Sequence, residues 1–563
     1  MQNVLTRVLP FLMYRTFLFA GIIVLAALLR LWQLGTVPAG LHADEAAYGY
    51  NAYSLLVTGN DEYGDSFPLV LQSFGDYKPA LYAYLTIPAI VLFDLTAFAV
   101  RLPSAVFGIM SVGVLYLLVA RLLKNQPIAL LSALLLAISP WHVTLSRTTS
   151  EVVVSVCFLL LLAYALTHVQ ERFTLWWCGI ALVVGVFALG SYTASRFFVV
   201  LLTALFALFA VRLVRNRVRM NGILLMLCLL FIGVGLLMST RDSASRFNQV
   251  SIFSNPETKL VLEEQIREDQ FTQPLVTRAF HNKIVNYTRT ALANYDTYFR
   301  LDFLFLSGGK PDRMVIPESG LFYLWQLPFL LIGLYVVARK RMRAGFFLIG
   351  WWLLLLLPAA ITFDEIPNVY RALIILPPLL IIIAIGINES FSYRVRIGKT
   401  ALFVLVGLLG IWEFAYYQHQ LYQHQPVHRP WARAYAYQPL VARLQKLAPR
   451  YTKIIVTQSH SNPYIFLLFY TKYDPKKYQA GGSVADTHGA GFDKYHFVQQ
   501  ECPLQASKDR KKTVIGETGV LYVNKGTCDT PGTNAKLVET ITWQDGSPAF
   551  KLMEYVLMKP ERE

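Results

Sequence analysis

Residues 41–84 read LHADEAAYGYNAYSLLVTGNDEYGDSFPLVLQSFGDYKPALYAY and separate two long apolar runs. From residue 34 to residue 100 the chain carries a single base, Lys78, and seven acids: Asp44, Glu45, Asp61, Glu62, Asp65, Asp76 and Asp94. Charged side chains are costly inside a lipid bilayer. We therefore predict that the segment is a surface loop between two apolar elements.

The composition identifies those apolar runs as membrane spans. The chain has 563 residues, of which 55% are hydrophobic and 15% charged, whereas soluble domains carry about 25% charged residues. Its mean hydropathy is +0.44. Many of the uncharged runs approach the roughly 20 residues that cross a bilayer. We therefore predict a polytopic α-helical membrane protein, which excludes collagenous, disordered and disulfide-scaffold classes.

Eleven stretches have the apolar length of a span. They are residues 15–33, 101–123, 127–145, 148–169, 174–192, 195–214, 220–240, 319–338, 344–363, 369–388 and 400–417. The apolar stretch 79–93 is not counted, because counting it would place strongly basic loops outside the cell. It contains Pro88, and we interpret it as an amphipathic helix on the outer membrane surface.

Every second short connection between the spans is basic, and this bias sets the orientation with the N-terminus inside. These connections and the N-terminal segment hold sixteen bases and two acids, Glu171 and Glu389, which account for +14 of the formal net charge of +16. The bases are Arg7, Arg15, Arg121, Lys124, Arg172, Arg212, Arg215, Arg217, Arg219, Arg339, Lys340, Arg341, Arg343, Arg394, Arg396 and Lys399. The pI of about 9.5 is therefore a topology signal, and nucleic acid is not an expected partner.

This topology leaves residues 34–100, 241–318 and 418–563 on the extracytoplasmic side. We expect a transmembrane catalytic domain over residues 1–417, with external surface helices, and a separate extracytoplasmic domain over residues 418–563. The tail should be a small α/β fold, because strand patterns and helical patterns both occur in it. The strand patterns lie at 453–458, 518–523 and 549–556, and the helical patterns at 438–448 and 463–471.

The five cysteines separate by environment. Cys157, Cys178 and Cys228 lie in predicted spans, whereas Cys502 and Cys528 are the two cysteines of the tail. An oxidising compartment permits Cys502 and Cys528 to form a disulfide. The alternative is a pair of free thiols, because the distance between their Cα atoms is not known from sequence.

The external loop contains the residues best suited to chemistry. Asp44 and Glu45 open a predicted helix, where the helix dipole keeps a carboxylate ionised, although an ordinary capping acid looks the same. Lys78 adds a cation to the same loop. Five predicted outer span ends carry an arginine, against the positive-inside bias, which indicates an anionic ligand such as a lipid phosphate; snorkelling to headgroups is the alternative. They are Arg101, Arg147, Arg196, Arg241 and Arg371.

Five motifs occur in a characteristic order. They are the Asp44-Glu45 pair, GDYKP (Gly75–Pro79), RLPSA (Arg101–Ala105), SPWHVTLSR (Ser139–Arg147) and SYTASR (Ser191–Arg196). In this arrangement the chain resembles the GT-C glycosyltransferases, and most of all glycosyltransferase family 39, which includes bacterial protein O-mannosyltransferase and aminoarabinose-transferase relatives. The resemblance covers roughly residues 10–400 and does not extend to the tail from residue 418.

The resemblance implies an enzyme that transfers a sugar from a polyprenyl-phosphate donor to an acceptor hydroxyl on the extracytoplasmic face of the plasma or inner membrane, with Asp44 as catalytic base. The residues suit that chemistry, since it needs a carboxylate to accept a proton and cations to stabilise the departing phosphate. Lys78 fits the second role, and Glu45 is a candidate for orienting the acceptor. The sugar and the acceptor, whether protein, lipid or glycan, stay open. The further candidate phosphate ligands are Arg101, Arg147, Arg196 and Arg371.

Other interpretations remain. His42, Asp44 and Glu45 are candidate ligands for a divalent metal, although residues this close in sequence rarely converge on one ion without another ligand; no other cofactor is expected. A transporter or flippase for lipid-linked glycans would show inverted repeats and mid-span charges, which are not seen. A non-catalytic glycan-binding membrane protein would use the tail, whose net charge is +7. Asp44 and Lys78 favour the enzyme.

The predicted topology can be tested by cysteine labelling. Ser66→Cys, Ser307→Cys and Ser483→Cys should react with a membrane-impermeant maleimide in intact cells, because their segments are predicted to lie outside. Ser392→Cys, next to a basic connection, should react only after permeabilisation. Labelling of Ser392→Cys but not of Ser483→Cys in intact cells would overturn the orientation.

Overall fold

The computed structural model describes residues 2–171, 174–210, 217–238, 249–269, 274–392, 398–481, 491–504, 516–529 and 534–556. The chain divides into two compact units. The membrane unit comprises residues 1–32 and 104–420, and the loop–tail unit comprises residues 33–103 and 421–563. This grouping differs from the predicted domains, because the first external loop belongs with the tail rather than with the spans.

Helices occupy the positions of all eleven predicted spans. Those of at least thirteen residues are Gln2–Leu31, Ala97–Leu123, Gln126–Ile138, Glu151–Glu171, Leu175–Ser191, Ser195–Ala210, Arg217–Leu237, Leu327–Arg339, Arg343–Leu355, Leu376–Ser392 and Gly398–His419. Large apolar side chains such as Phe17, Trp176 and Leu237 are exposed on them. Such a surface is unfavourable in water and suits lipid. The fold class, a polytopic helical membrane protein with a C-terminal sheet domain, is therefore confirmed.

Five helices of the described residues are long and apolar enough to cross a membrane. They are Met13–Leu31, Ala97–Leu123, Glu151–Glu171, Arg343–Ala360 and Leu373–Phe391. A sixth span results if Gln126–Ile138 and Pro140–Ser146, which meet at an angle of 55°, are counted as one. The other apolar helices are shorter, so the total of eleven spans stays a prediction.

A buried arginine stabilises this bend. A helix that stops inside a protein leaves carbonyl groups without intrahelical partners. Arg30 is fully buried and donates hydrogen bonds to the carbonyls of Leu136 and Ala137, at 3.1 and 3.0 Å. Its guanidinium also lies 2.8 Å from Nδ1 of His142, in the short helix after the bend. The carbonyl groups that the helix break at Ser139 leaves without intrahelical partners therefore accept hydrogen bonds from Arg30.

Two glycines allow close packing in the centre of the membrane unit. The helices Leu327–Arg339 and Leu376–Ser392 pass each other at Gly333 and Gly386. A Cβ atom on Gly386 would collide with the carbonyl oxygen of Phe329. Small residues at such crossings let helix backbones approach and gain dispersion energy where lipid gives no hydrophobic driving force. The middle of Leu376–Ser392 is accordingly fully buried.

Between residues 249 and 318 the membrane unit has short helices rather than spans. They are Pro256–Glu268, Pro274–Phe280, Lys283–Thr297, a π-helical turn at Asp302–Leu306 and a 3₁₀ turn at Asp312–Met314. Further short turns lie at Leu324–Gln326, Leu357–Ala360 and Leu373–Ile375. They lie in the second segment predicted to be external, and their position relative to the membrane stays a prediction. Arg241, one of the five arginines predicted at outer span ends, lies outside the described residues.

The loop part of the loop–tail unit has a helix, Ala43–Thr58, a two-stranded hairpin of β1 (Val70–Ser73) and β2 (Asp76–Pro79), and a second helix, Leu81–Phe93. The second helix has 13 residues, too few to span a bilayer. The expectation of an amphipathic helix is wrong, because the exposed residues Val91, Leu92 and Phe93 at its C-terminal end are as apolar as its buried residues, so it has no polar face.

The tail is an α/β fold, as predicted. It contains β3 (Lys453–Thr457), β4 (Gly491–Phe492), β5 (Tyr495–Val498), β6 (Val520–Lys525), β7 (Ala535–Thr542) and β8 (Pro548–Tyr555), and the sheet order is β4-β5-β3-β6-β8-β7. β3 runs parallel to β5 and β6, whereas the outer pairs are antiparallel. Its helices and turns are Gln420–His424, Gln425–His428, Pro430–Arg433, Tyr437–Leu447, Ala448–Arg450, Pro463–Thr471 and Pro475–Ala480.

Cys502 and Cys528 form a disulfide with their Cα atoms 5.9 Å apart. The bond joins the segment after β5 to the turn after β6, and both strands flank β3. A bridge that closes a loop of this length contributes about 3 kcal/mol in the loop-entropy model. It therefore helps to hold the parallel part of the sheet together.

Candidate active site

The chain enters the helix Ala43–Thr58 through a capping box. His42 is the N-cap, its Nδ1 accepts the backbone N–H of Asp44 at 3.2 Å, and the Glu45 carboxylate accepts the backbone N–H of His42 at 3.0 Å. These bonds satisfy donors that a helix start leaves free. The sequence His-Ala-Asp-Glu thereby fixes the first turn, and with it the backbone that carries Asp44.

The hairpin brings Lys78 to this helix start. Phe74 and Gly75 form its two-residue turn, and both have positive φ angles, 55° and 73°, as a type I′ turn requires. Lys78 lies on β2 with its side chain only 9% exposed, and its Nζ forms an ion pair with Oδ1 of Asp44. Its ammonium also lies 5.7 Å from the ring centre of Tyr48. The ammonium is thus held between an aromatic ring and a carboxylate.

Asp44 combines access with a strong preference for the ionised state. Its side chain is 39% exposed, so a ligand can reach it. Desolvation acts to raise the pKa of Asp44, but the adjacent ammonium of Lys78 opposes this effect, and the pKa lies well below its ordinary value. Nδ1 of His42 lies 3.2 Å from Oδ2 of Asp44. At neutral pH the group is a carboxylate beside a cation.

Glu45, the next residue, is in a different environment. Its side chain is 2% exposed. It accepts a hydrogen bond from Nε of Arg101 at 3.2 Å and forms an ion pair with Arg433. With the bond from His42, both carboxylate oxygens are engaged by protein donors. This geometry does not support the expected contact of Glu45 with acceptor or metal. It assigns Glu45 to holding the loop in place.

Arg433 is the residue that the sequence did not indicate. It lies in the turn Pro430–Arg433, 388 residues from its partner Glu45. The tail was excluded from the site because the family motifs end before it. No spacing rule connects the two positions, and the only available signal was an arginine among aromatic residues in RPWARAY, residues 429–435.

Three other acids of the loop, Asp61, Asp76 and Asp94, have structural contacts. Asp61 closes a turn by accepting the N–H groups of Tyr63 and Asp65, each at 2.9 Å. Asp76 accepts the N–H of Tyr77, and Asp94 forms an ion pair with Lys472 of the tail. Among the loop acids Asp44 therefore combines exposure with a buried cationic partner.

The arginines predicted to bind a donor phosphate fall into two groups. Arg101 is fully buried and donates to the carbonyls of Leu34, Pro38 and Gly40 besides Glu45. Arg147 is fully buried as well and donates to the carbonyls of Leu29 and Trp32. Burial in backbone contacts is a structural arrangement, so the predicted phosphate role is not supported for these two.

Arg196 and Arg371 line a cavity of about 470 Å³ in the membrane unit. Its wall is mostly apolar, with side chains such as Phe197, Phe231 and Leu236. The Arg371 guanidinium donates to Thr362 and to the backbone and carboxylate of Asp364. An apolar cavity with two guanidinium groups suits an amphiphile with an anionic end.

The predicted metal ligands do not form a recognisable metal centre. His42 and Asp44 are adjacent, but Glu45 is occupied by two arginines. Within the described ranges, no group of three His, Cys, Asp or Glu side chains is arranged to hold a metal ion. Metal dependence remains an expectation from the sequence.

Comparison with known proteins supports the resemblance. Residues 77–236 match the family model described as dolichyl-phosphate-mannose-protein mannosyltransferase. The structure is similar to ArnT from Cupriavidus metallidurans bound to undecaprenyl phosphate, with a TM-score of 0.54 and 13% identity over 95% of this chain and 97% of ArnT. The apo state of the same ArnT gives a TM-score of 0.53. No curated protein matches the sequence at a significant level.

A second similarity is to the archaeal oligosaccharyltransferase AglB from Archaeoglobus fulgidus in complex with an inhibitory peptide and a dolichol-phosphate. Its TM-score is 0.48 at 12% identity, over 81% of this chain. This chain spans 63% of the length of that AglB chain. The family-model match and the ArnT-like fold together confirm the GT-C fold and the resemblance to family 39.

The opposite environments of Asp44 and Glu45 predict opposite effects on stability. Glu45→Ala should lower the free energy of unfolding by about 3–5 kcal/mol, because it leaves two buried guanidinium groups without their carboxylate. Asp44→Asn should cost less than Glu45→Ala, because the side chain is partly exposed and the amide oxygen can still accept a hydrogen bond from the Lys78 ammonium. Apparent melting temperatures of the purified proteins in one detergent would compare them. Equal melting temperatures for the two variants would contradict the assignment.

Proposed function

We propose that this protein is a membrane glycosyltransferase that transfers a sugar from a polyprenyl-phosphate donor to an acceptor hydroxyl. The proposed site of transfer is the extracytoplasmic face, because the basic connections predict that the loop at 34–100 lies on that side. The observation that carries the proposal is the Asp44–Lys78 pair, an accessible carboxylate held by a shielded ammonium at an ordered helix start. The GT-C fold gives this pair its context.

In the proposed reaction Asp44 removes the proton from the acceptor hydroxyl while the oxygen attacks the anomeric carbon. A new carbon–oxygen bond forms, the bond from the anomeric carbon to the phosphate oxygen breaks, and the phosphate leaves with that electron pair. Charge therefore develops on the phosphate, where a positioned cation stabilises it. The proton ends on Asp44 and passes to solvent after the products leave.

Lys78 links donor binding to the activity of the base. While the ammonium is paired with Asp44, the lowered pKa makes the carboxylate a weak base. A donor phosphate competes for the same ammonium, because both ligands are anionic oxygens. As Lys78 turns towards the phosphate, the pKa of Asp44 rises and its basicity increases. The base is then strongest when a donor is present.

The cavity of the membrane unit is the proposed site for the lipid carrier. Its apolar wall suits prenyl units, and Arg196 and Arg371 suit an anionic end group. The similar ArnT structure holds undecaprenyl phosphate. The donor phosphate therefore has two candidate sets of cations, Lys78 in one unit and the two arginines in the other, and variants can separate them.

Asp44→Asn should lower turnover by about a hundred- to ten-thousand-fold, because the amide keeps the shape and loses the base. Lys78→Ala should weaken donor binding as well, since a phosphate-facing cation acts in the ground state and the transition state. Lys78→Arg should recover part of the binding if charge alone matters. The measurement is kcat and KM of purified enzyme with a polyprenyl-phosphate-sugar donor.

The same variants predict a pH effect with a definite sign. The free enzyme is active only with Asp44 ionised. In the pH profile of kcat/KM, the fall on the acidic side should therefore occur below the ordinary pKa range of an aspartate. Lys78→Ala removes a cation that lowers this pKa, so the acidic limb of kcat/KM should move to higher pH. A near-wild-type rate of Asp44→Asn at saturating donor would reject Asp44 as the base.

The cavity gives a separate prediction for lipid binding. Arg196→Gln should raise the Kd for undecaprenyl phosphate by roughly ten- to a hundredfold, the loss expected for a hydrogen bond to a charged group. Arg300→Gln is the control, because Arg300 is an exposed arginine paired with Asp296. Binding can be measured by native mass spectrometry in detergent. Equal Kd values for the two variants would remove Arg196 from the lipid site.

A further inference from the structure

We propose that Arg433 of the tail is a positioning residue for Asp44, so that the C-terminal segment is part of the catalytic apparatus rather than an accessory domain. The inference rests on the proposed function, because it concerns the placement of the proposed base. Arg433 does not touch a substrate in this scheme. It acts through Glu45, the residue that follows Asp44 in the chain.

The charges of the buried cluster show what Arg433 adds. Glu45 brings one negative charge, whereas Arg101 and Arg433 bring two positive charges, and all three side chains are at most 2% exposed. Arg101 alone neutralises Glu45. A second buried guanidinium adds a desolvation cost that its contacts must offset. The role proposed for Arg433 therefore rests on the position of its contact with Glu45 and not on a gain in stability.

Arg433 is one of three donors that fix the direction of the Glu45 carboxylate. Arg101 donates to Oε1 through its Nε at 3.2 Å and lies 3.5 Å from Oε2 through Nη2, and Arg433 forms an ion pair with Oε2. Oε2 is also the oxygen that accepts the backbone N–H of His42. The capping box that holds the first helical turn thus shares its acceptor atom with Arg433. Movement of this oxygen would move the turn that carries Asp44.

The backbone around Arg433 also contacts the chain that leads to Asp44. Gly40 has a φ of 76°, and a Cβ atom there would lie 2.5 Å from the carbonyl oxygen of Arg433 and 3.0 Å from Cα of Tyr435. The carbonyl of Gly40 accepts a hydrogen bond from Arg101. The tail turn therefore packs directly against the residues before His42, and only glycine fits this approach.

Other tail contacts hold the rest of the same helix. Tyr50 donates to the carbonyl of Tyr473 at 3.1 Å, and Nε2 of Gln479 donates to Oγ of Ser54 at 2.9 Å. A Cβ atom on Gly49 would lie 2.6 Å from the ring of Phe469. These contacts lie one to three turns beyond Asp44. Arg433 is the tail side chain that reaches the first turn among the contacts described.

Loss of Arg433 should change catalysis more than stability. Arg433→Met leaves a neutral Glu45–Arg101 pair in the core, so the unit can still fold. A misplacement of about 1 Å at a catalytic group costs up to a hundredfold in rate. We expect Arg433→Met to lower kcat at least tenfold, with KM for the donor within a factor of two and the melting temperature within a few degrees of wild type.

The experiment compares Arg433→Met, Arg433→Lys and the control Arg443→Met in the full-length purified protein. Arg443 is a half-exposed arginine of the same segment, paired with Glu539 of the sheet, and its loss should leave kcat unchanged. Arg433→Lys keeps the charge but not the planar fork, so it should recover part of kcat. The acidic limb of kcat/KM should not move in Arg433→Met, because Lys78 still faces Asp44.

Several outcomes decide between the alternatives. A wild-type kcat in folded Arg433→Met overturns the inference, and so does an equal loss of kcat in Arg443→Met. If Arg433→Met does not fold, Arg433→Lys decides, since a wild-type kcat there also overturns it. Asp44→Asn is measured in parallel. Near-wild-type activity of Asp44→Asn rejects the proposed base itself, whereas an inactive Asp44→Asn with an active Arg433→Met rejects only the role of Arg433.

Discussion

The buried carboxylate of Glu45 is the interaction on which the proposed site depends. It accepts donors from three separate stretches of chain: the loop before the helix, the start of the helix Ala97–Leu123, and the tail turn Pro430–Arg433. An ion placed in a protein interior must find enough partners to replace water. The arginine on each side of Glu45 meets this requirement, and the result is a fixed point from which Asp44 projects.

Two adjacent acids therefore have opposite roles because of their surroundings. The Glu45 carboxylate is buried and accepts its hydrogen bonds from protein groups, whereas Asp44 is partly exposed and forms an ion pair with the Lys78 ammonium. Residues adjacent on a helix point about 100° apart, so one faces the core while the other faces the opening. Placing a reactive group beside a rigid anchor pre-organises it without burying it. The contrast between Asp44 and Glu45 therefore identifies the accessible carboxylate better than either residue does alone.

Sequence reasoning recovered the parts of the fold that depend on local pattern. The apolar runs predicted where the helices lie, and the strand patterns at 453–458, 518–523 and 549–556 predicted β3, β6 and β8. The sequence patterns did not predict β4, β5 or β7. They also did not predict the hairpin of β1 and β2, because its two-residue turn at Phe74 and Gly75 carries no Asn-Gly signal. The helix Leu81–Phe93 was identified, but a polar face was assumed that its composition does not have.

Only the site residues that lie close together in the sequence could be predicted from it. Asp44 and Lys78 lie 34 residues apart in one loop, and the structure forms an ion pair between them, while their roles in the reaction stay a proposal. Arg101 and Arg147 were grouped with Arg196 and Arg371 because the sequence reports charge at a span end and not burial. Arg433 was excluded because a contact across 388 residues leaves no periodic trace. Burial and long-range pairing are properties of the folded chain, and they separate the arginines that line the cavity from those that are enclosed in backbone contacts.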